Sequence, residues 1–303
     1  MPRPIRLTLA GLALASACAK RREGARPQVG VTLLTEAHVF YQDLKRGMQQ
    51  AADSLGLDLH IVAGEWDLAR QTAQVDNFIT QGMDAIVVAP VNSSGIVSAI
   101  EAANRARIPV FTADIASDGG AVAAHIASDN RQGGRLLGAY VARRLQGGGN
   151  VAILDQPTVA SVRDRVAGFR EALGAFPNIR IVASPAVEQG IRQVAKEKMD
   201  NLLATDQHID AVFGTNDDCA LGALAAIEGA GRKDMIVVGY DATPEARAAI
   251  ARGSALVADA VQDPVAIGRL TMNVVAARLR GDAIPHLVPV PVGLVERDSL
   301  RTP

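Results

Sequence analysis

The sequence predicts an α/β protein of two doubly wound lobes, each built on a parallel sheet. Three observations predict this. Short apolar runs bounded by Gly, Pro or Asp alternate with stretches of helical period; that alternation runs through the chain as two series; and polar residues collect where the apolar runs end.

A strand buried on both faces reads as a continuous apolar run, not as an alternating one. The first series holds VGVTLLT (29–35), LDLHIVA (57–63), DAIVVAP (84–90), PVFTAD (109–114) and VAAHIAS (122–128), with amphipathic segments near 41–55, 68–82 and 93–107. The second holds NVAILD (150–155), IRIVAS (179–184), DAVFGT (210–215), MIVVGYD (235–241) and ALVADAVQ (255–262), with helices around 161–174, 190–204, 218–230 and 244–252. Helix starts carry their own chemistry. Thr243-Pro244-Glu245 supplies a capping hydroxyl, a proline at the first helical position and an acid in the first turn, and Asp263-Pro264 repeats the device. By the same logic Asp217 or Asp218 caps the helix that begins after residue 216. The run GGG (147–149) precedes a strand and reads as a turn, not as a nucleotide loop.

With 303 residues, 49% of them hydrophobic and 21% charged, the chain can bury a large core in one big domain or two smaller ones. Its 31 basic and 32 acidic side chains leave a formal charge of -1. No general attraction toward nucleic acid or an anionic membrane follows, and a neutral ligand fits best. The first residues join Arg3 and Arg6 to a short apolar stretch, Leu7 to Leu14, and then small residues up to Cys18. That is the pattern of an export signal, and its apolar part is shorter than the about 20 residues that span a bilayer. LASAC resembles a bacterial lipobox in which Cys18 becomes a lipidated terminus, while Ala15-Ser16-Ala17 and Ala17-Cys18-Ala19 suit ordinary cleavage. With Cys18 lipidated or removed, Cys219 is the one remaining thiol, expected to be packed in the core. The five histidines are scattered and neither CxxC nor HExxH occurs, so neither a metal nor a cofactor is expected.

In open parallel α/β sheets, ligands bind beyond the carboxyl ends of the strands. Asp114, Asn216, Asp241 and Gln262 each close an apolar run, and His38, Phe40 and Tyr41 follow the first. Any one such carboxylate is as readily a helix cap or an arginine partner; several at corresponding ends favour a shared crevice. These groups suit a sugar: Asp accepts from hydroxyls, Asn and Gln donate and accept, Arg offers a planar fork, and Phe40 and Tyr41 can lie against a ring. Trp66 falls in a loop with no assigned role.

At this point the residues resemble a family, the periplasmic sugar-binding proteins of ABC importers, of the ribose-binding type. The resemblance covers nearly all of 28–295 and rests on the order of FYQDLKRGMQQAADSLG, HIASDN (125–130), VRDRVAGF (162–169), AVFGTNDDCALGAL (211–224), VVGYDATPEA (237–246) and AVQDPVAIG (260–268). It implies lobes joined near Ser128-Asp129, Gln262-Asp263 and Pro291-Val292: residues 28–128 with 263–291, and residues 129–262 with 292–303, after a signal and linker over 1–27. It implies that Asp114, Arg165, Asn216, Asp241 and Gln262 hydrogen-bond a sugar between the lobes, with Phe40 and Tyr41 facing its ring. Without that match Arg165 reads as a surface charge. On this reading Asn216 faces the ligand while one of the following aspartates holds the helix start.

Departures bear on the ligand. Ile115 stands where ribose binders carry an arginine, His38 and Ala89 each replace an asparagine, and the usual second-lobe aromatic is missing around Gln189 and Gly190. Another pentose, a hexose or a cyclic polyol is then as suitable as ribose. The expected role is that of a monomeric, exported, non-catalytic receptor delivering its ligand to an ABC permease and ATPase, in the periplasm either free or as an anchored lipoprotein. The alternative is sensing, with the loaded protein docking on a chemoreceptor or histidine kinase. A lac-repressor-type regulator would need a helix-turn-helix before residue 28, which the leader does not supply. An enzyme would need a phosphate loop, an activated nucleophile or a metal set.

Overall fold

The central apolar runs become strands because burial on both faces removes their side chains from water, about 1.5–3 kcal/mol for each large residue, while the edge strands keep some side chains exposed. In a computed structural model, which describes residues 25–300, the first series forms β1 (Gln28–Leu33), β2 (Asp58–Ala63), β3 (Ala85–Val88), β4 (Val110–Ala113) and β5 (Val122–Ser128). The second forms β6 (Gly148–Leu154), β7 (Asn178–Ala183), β8 (Ala211–Gly214), β9 (Ile236–Asp241) and β10 (Leu256–Val261). Two short late strands, β11 (Leu287–Val290) and β12 (Gly293–Glu296), complete a six-stranded sheet apiece. The leader, with Cys18 and its competing cleavage sites, lies outside the described residues.

Both sheets share one topology, β2-β1-β3-β4-β5-β11 and β7-β6-β8-β9-β10-β12. The first is parallel throughout. The second is parallel except at its edge, where β12 runs antiparallel to β10, pairing Ala258 with Glu296. The expected pair of doubly wound parallel-sheet lobes is thus present, with one antiparallel edge strand in the second. β12 enters its sheet from the side facing the other sheet, after only Pro291 and Val292, whereas β10 leaves by that same side, so the two must run in opposite directions.

Nine helices cover the sheets among the described residues: α1 (Val39–Leu55), α2 (Leu68–Gln81), α3 (Val97–Arg105), α4 (Asn130–Arg144), α5 (Ala160–Leu173), α6 (Arg192–Leu203), α7 (Asp217–Gly229), α8 (Pro244–Ala251) and α9 (Pro264–Arg280). The expected caps form: Thr243 Oγ1 accepts from the Ala246 amide at 3.3 Å and Asp263 Oδ1 from the Ala266 amide at 2.8 Å. The body of α4 is absent from the sequence reading, and its three glycines explain why, since glycine is a poor helix former. Its glycines serve packing instead. A Cβ at Gly134 would stand 2.0 Å from the Arg165 carbonyl oxygen, and one at Gly168 2.1 Å from that of Arg131, so α4 and α5 touch backbone to backbone. In the other half, Gly47 of α1 and Gly268 of α9 meet in the same way.

The chain passes between the sheets three times, after β5, after β10 and between β11 and β12. In each sheet the strand order reverses direction next to its first strand, at β1/β3 and at β6/β8, and loops diverging from such a point leave a crevice at the strands' carboxyl ends. No helix among the described residues is long and apolar enough to cross a membrane.

Candidate functional site

The two crevices face one another and enclose a cavity of about 690 Å³, part of it open to solvent. All eight residues singled out in the sequence line it. His38, Phe40, Tyr41 and Asp114 come from the first sheet's loops and helix starts. Arg165, Asn216, Asp241 and Gln262 come from the second.

Asp114 follows β4 with φ at 65°, a left-handed conformation that aspartate tolerates better than most residues. It is 3% exposed, its Oδ2 accepts the Tyr41 hydroxyl at 2.8 Å, and its Oδ1 has no partner among the described residues. Burial pushes its carboxyl up to about 6, against the opposing pull of Arg165. Tyr41 is pushed up in turn, by burial first and then by Asp114. Phe40 packs edge-on against Tyr41, ring centroids 5.2 Å apart, so both aromatics are buried and both reach the cavity.

Arg165 is no surface charge. At 5% exposure it donates from Nε to Asn130 Oδ1 and from one terminal nitrogen to the Thr215 carbonyl, both at 2.8 Å. Its guanidinium lies 3.8 Å from the centre of the Tyr240 ring, and a terminal nitrogen is 3.7 Å from Asp241 Oδ1. Asp241 closes β9 with φ at 122° and takes a 2.6 Å hydrogen bond from Gln262 Nε2, leaving Gln262 Oε1 buried and unpartnered.

His38 caps α1: its Nδ1 accepts the Phe40 amide at 3.1 Å. The ring proton therefore sits on Nε2, which faces Asp241 Oδ2 at 3.7 Å and Asp218 Oδ2 at 4.0 Å.

The start of α7 corrects the division of labour read from the sequence. Asn216 is itself the cap, its Oδ1 accepting the Cys219 amide at 2.8 Å, while its Nδ2 donates to the Gly190 carbonyl at 3.0 Å. An amide can accept and donate at once, which a carboxylate cannot. Neither aspartate caps. Asp218 lines the cavity and pairs with Arg192 at 3.3 Å. Asp217 is buried beneath the site, where its Oδ2 accepts the Thr243 amide at 2.6 Å. Behind it stands Asp259, fully buried, whose Oδ1 accepts the Ala242 amide at 3.1 Å. Asp217 Oδ1 and Asp259 Oδ2 are buried without a partner among the described residues, and burial, with each carboxyl acting on the other, pushes Asp217 up to about 6 and Asp259 well above the ordinary carboxylate range. Cys219 is packed inside α7, where burial pushes its thiol up.

Trp66, Gln156 and Asp218 also line the cavity without having been expected to meet the ligand. Gln156 follows β6 and satisfies the strand-end rule that found Asn216. Trp66 gives no such signal: it sits in a left-handed turn held by Glu65, whose carboxylate takes the Thr35 hydroxyl at 2.7 Å and the Glu36 amide at 2.9 Å. Gly190 occupies a left-handed position, φ 62°, that disfavours the larger side chains expected there. At the rim the halves touch directly: the Ser93 amide donates to the Thr158 carbonyl at 3.1 Å, Ser93 Oγ accepts the Ala160 amide at 2.9 Å, and Arg163 pairs with Asp118.

The arrangement offers oriented donors and acceptors from two sides around a partly apolar space. Residues 29–283 match the model of a family described as periplasmic binding protein domain. The ribose import binding protein of Salmonella typhimurium is 33% identical over 289 residues, covering 95% of this chain and 97% of that protein. A solved ABC transporter solute binding protein from Bacillus halodurans with bound myo-inositol superposes with a TM-score of 0.84 at 28% identity, covering 91% of this chain and 96% of that one. The fructose-binding periplasmic domain of a hybrid two-component system superposes equally, at 0.84 and 26% identity over 91% and 92% of the two chains.

Proposed function

The chain belongs to the periplasmic sugar-binding proteins of the ribose-binding type, and we propose from this that its cleft captures one monosaccharide or cyclic polyol and delivers it to an ABC permease and its ATPase. The observation that carries the ligand reading is a pair of buried acceptors, Asp114 Oδ1 and Gln262 Oε1, on opposite sides of the cavity and without protein partners. Buried polar atoms are nearly always hydrogen-bonded, and an unsatisfied one costs about 1–3 kcal/mol. A polyhydroxylated guest supplies donors to both. Hydrogen bonds to charged groups contribute roughly 1.5–3 kcal/mol each, and micromolar capture needs about 8 kcal/mol net.

The proposed movement is a hinge at the three crossings, with residues 28–128 and 263–291 moving against residues 129–262 and 292–303. Ligand contacts both halves only when they are together, and that differential contact shifts the population toward closure. The protein is proposed to work in the periplasm, anchored through Cys18 or freely soluble. A thermal-shift screen over pentoses, hexoses and inositols tests the capture reading. A ligand at about 100 times its dissociation constant stabilises the fold by about 2.7 kcal/mol, and a panel that leaves the midpoint unmoved would contradict it. The second reading, a sensory receptor, is favoured by the likeness to the two-component domain. Loss of growth on the captured sugar when the gene is deleted separates transport from sensing.

A further inference from the structure

The cleft's charges do not balance. Among the described residues lining it, Arg165 is the only lysine or arginine, against the carboxylates of Asp114, Asp218 and Asp241. Asp218 is answered at the rim by Arg192, and Asp241 by Arg165 and the Gln262 amide. Asp114 feels the pull of Arg165 but forms no ion pair with a lysine or arginine among the described residues. Its one protein donor is the neutral Tyr41 hydroxyl, and its Oδ1, 3% exposed as a residue, has none. Arg165 is not free to turn toward it, since Nε and a terminal nitrogen are held by Asn130 and Thr215 and its plane lies by the Tyr240 ring. Ile115, which follows Asp114 and lines the same cavity at 2% exposure, brings hydrocarbon beside the carboxylate. A buried carboxylate is tolerated when it meets an opposite charge and is costly otherwise.

We propose that the ligand supplies the missing cation: a protonated amine on a sugar or cyclitol ring, seated on Asp114 Oδ1, with the ring's C–H face turned to Ile115. The inference rests on the capture reading above and narrows its substrate class. An ammonium has three donors and a full charge, so on an unpaired buried carboxylate it gains more than the hydroxyl of an otherwise identical ring. The groups facing Asp114 are Tyr41 and His38 at the start of α1, Arg165 of α5 and Asp241 of β9. Because its carboxyl titrates at about 6, it is charged at neutral pH and takes up a proton on mild acidification, which removes the attraction.

The test is calorimetry on the full chain with matched amine and hydroxyl probes: D-glucosamine and D-glucose, D-galactosamine and D-galactose, scyllo-inosamine and scyllo-inositol. At about pH 7.5 an amine is expected to bind at least about tenfold tighter than its hydroxyl twin. The advantage should shrink by about pH 5 and disappear in Asp114→Asn, which still accepts the Tyr41 hydroxyl; the wild-type pH profile tests the same point should that variant fail to fold. A neutral member binding as tightly as, or tighter than, its amine overturns this proposal and leaves capture standing. If no amine and no neutral saccharide or polyol binds, capture falls and the proposal falls with it.

Discussion

The Nε2 atom of His38 lies 3.7 Å from Oδ2 of Asp241 across the cleft, while Nδ1 of the same ring caps α1 by accepting the Phe40 amide. One imidazole thus fixes a helix start in one half and presents its remaining proton to a carboxylate of the other. The cap dictates the tautomer, and the tautomer dictates which atom faces the site.

His38→Asn separates those two duties. Asparagine is a good cap but does not reach Asp241. Unfolding by denaturant is expected to match wild type, while ligand affinity falls about three- to tenfold, in keeping with the loss of one modest polar contact. His38→Ala should lose both, with stability down by about 1 kcal/mol. Unchanged affinity in both variants would remove His38 from the site.

Asn216 carries a cap and a cross-loop bond on one amide, so its substitutions should diverge. Asn216→Asp retains the acceptor for the Cys219 amide and loses the donor to Gly190, and should lower affinity at least about tenfold with little change in stability. Asn216→Ala should lose affinity together with about 0.5–2 kcal/mol of stability. Equal loss of stability in both would show that the cap is not the issue.

The Asp217–Asp259 pair predicts a pH dependence. Burial pushes Asp217 up to about 6, and burial together with Asp217 pushes Asp259 well above the ordinary carboxylate range. Both are raised relative to the unfolded chain, so the folded state holds more protons. Their stability contribution is full below the unfolded carboxylate range and is lost as pH rises through about 6. Asp259→Asn replaces one of the two buried carboxyls by an uncharged amide that can donate to Asp217. Relative to wild type it should gain on the order of 1 kcal/mol at pH 8 and close to nothing at pH 4. A difference that does not grow with pH would contradict the raised state of this carboxyl pair.

Gly168→Ala probes the α4–α5 contact. The added methyl meets the Arg131 carbonyl, and over-packing of this kind costs about 1–3 kcal/mol. The helices must separate, carrying Arg165 away from Asn130 and Thr215, so affinity should fall with stability. Gly229→Ala, where nothing stands within 4 Å, is the control and should leave affinity unchanged. Destabilisation without loss of affinity in Gly168→Ala would show that the close approach does not position Arg165.

Much of this was legible in the sequence, for identifiable reasons. Apolar runs located every strand of the two series, because the central strands are buried on both faces and the edge strands keep enough apolar residues to read the same way. The strand-end rule placed Asp114, Asn216, Asp241 and Gln262, because loops at a parallel sheet's carboxyl edge converge. What stayed hidden depends on partners distant in sequence. The glycines of α4 look like helix breakers until the Arg165 carbonyl is seen against Gly134. Arg165 looks exposed until Thr215 and Tyr240 enclose it. Asn216 and its two aspartates exchange roles because accepting and donating groups arrive from Cys219, Gly190 and Thr243. The direction of β12 follows from which side of its sheet the chain enters, which no local pattern encodes.

The central claim is that one guest is gripped from both halves at once. Small-angle X-ray scattering of the purified protein, titrated with a sugar or polyol that calorimetry shows to bind, tests this most directly. The account predicts that saturation lowers the radius of gyration in wild type and that Asp241→Ala needs at least about tenfold more ligand to reach the same compaction. Tight binding with an unchanged radius of gyration, and equal affinity in Asp241→Ala, would contradict it.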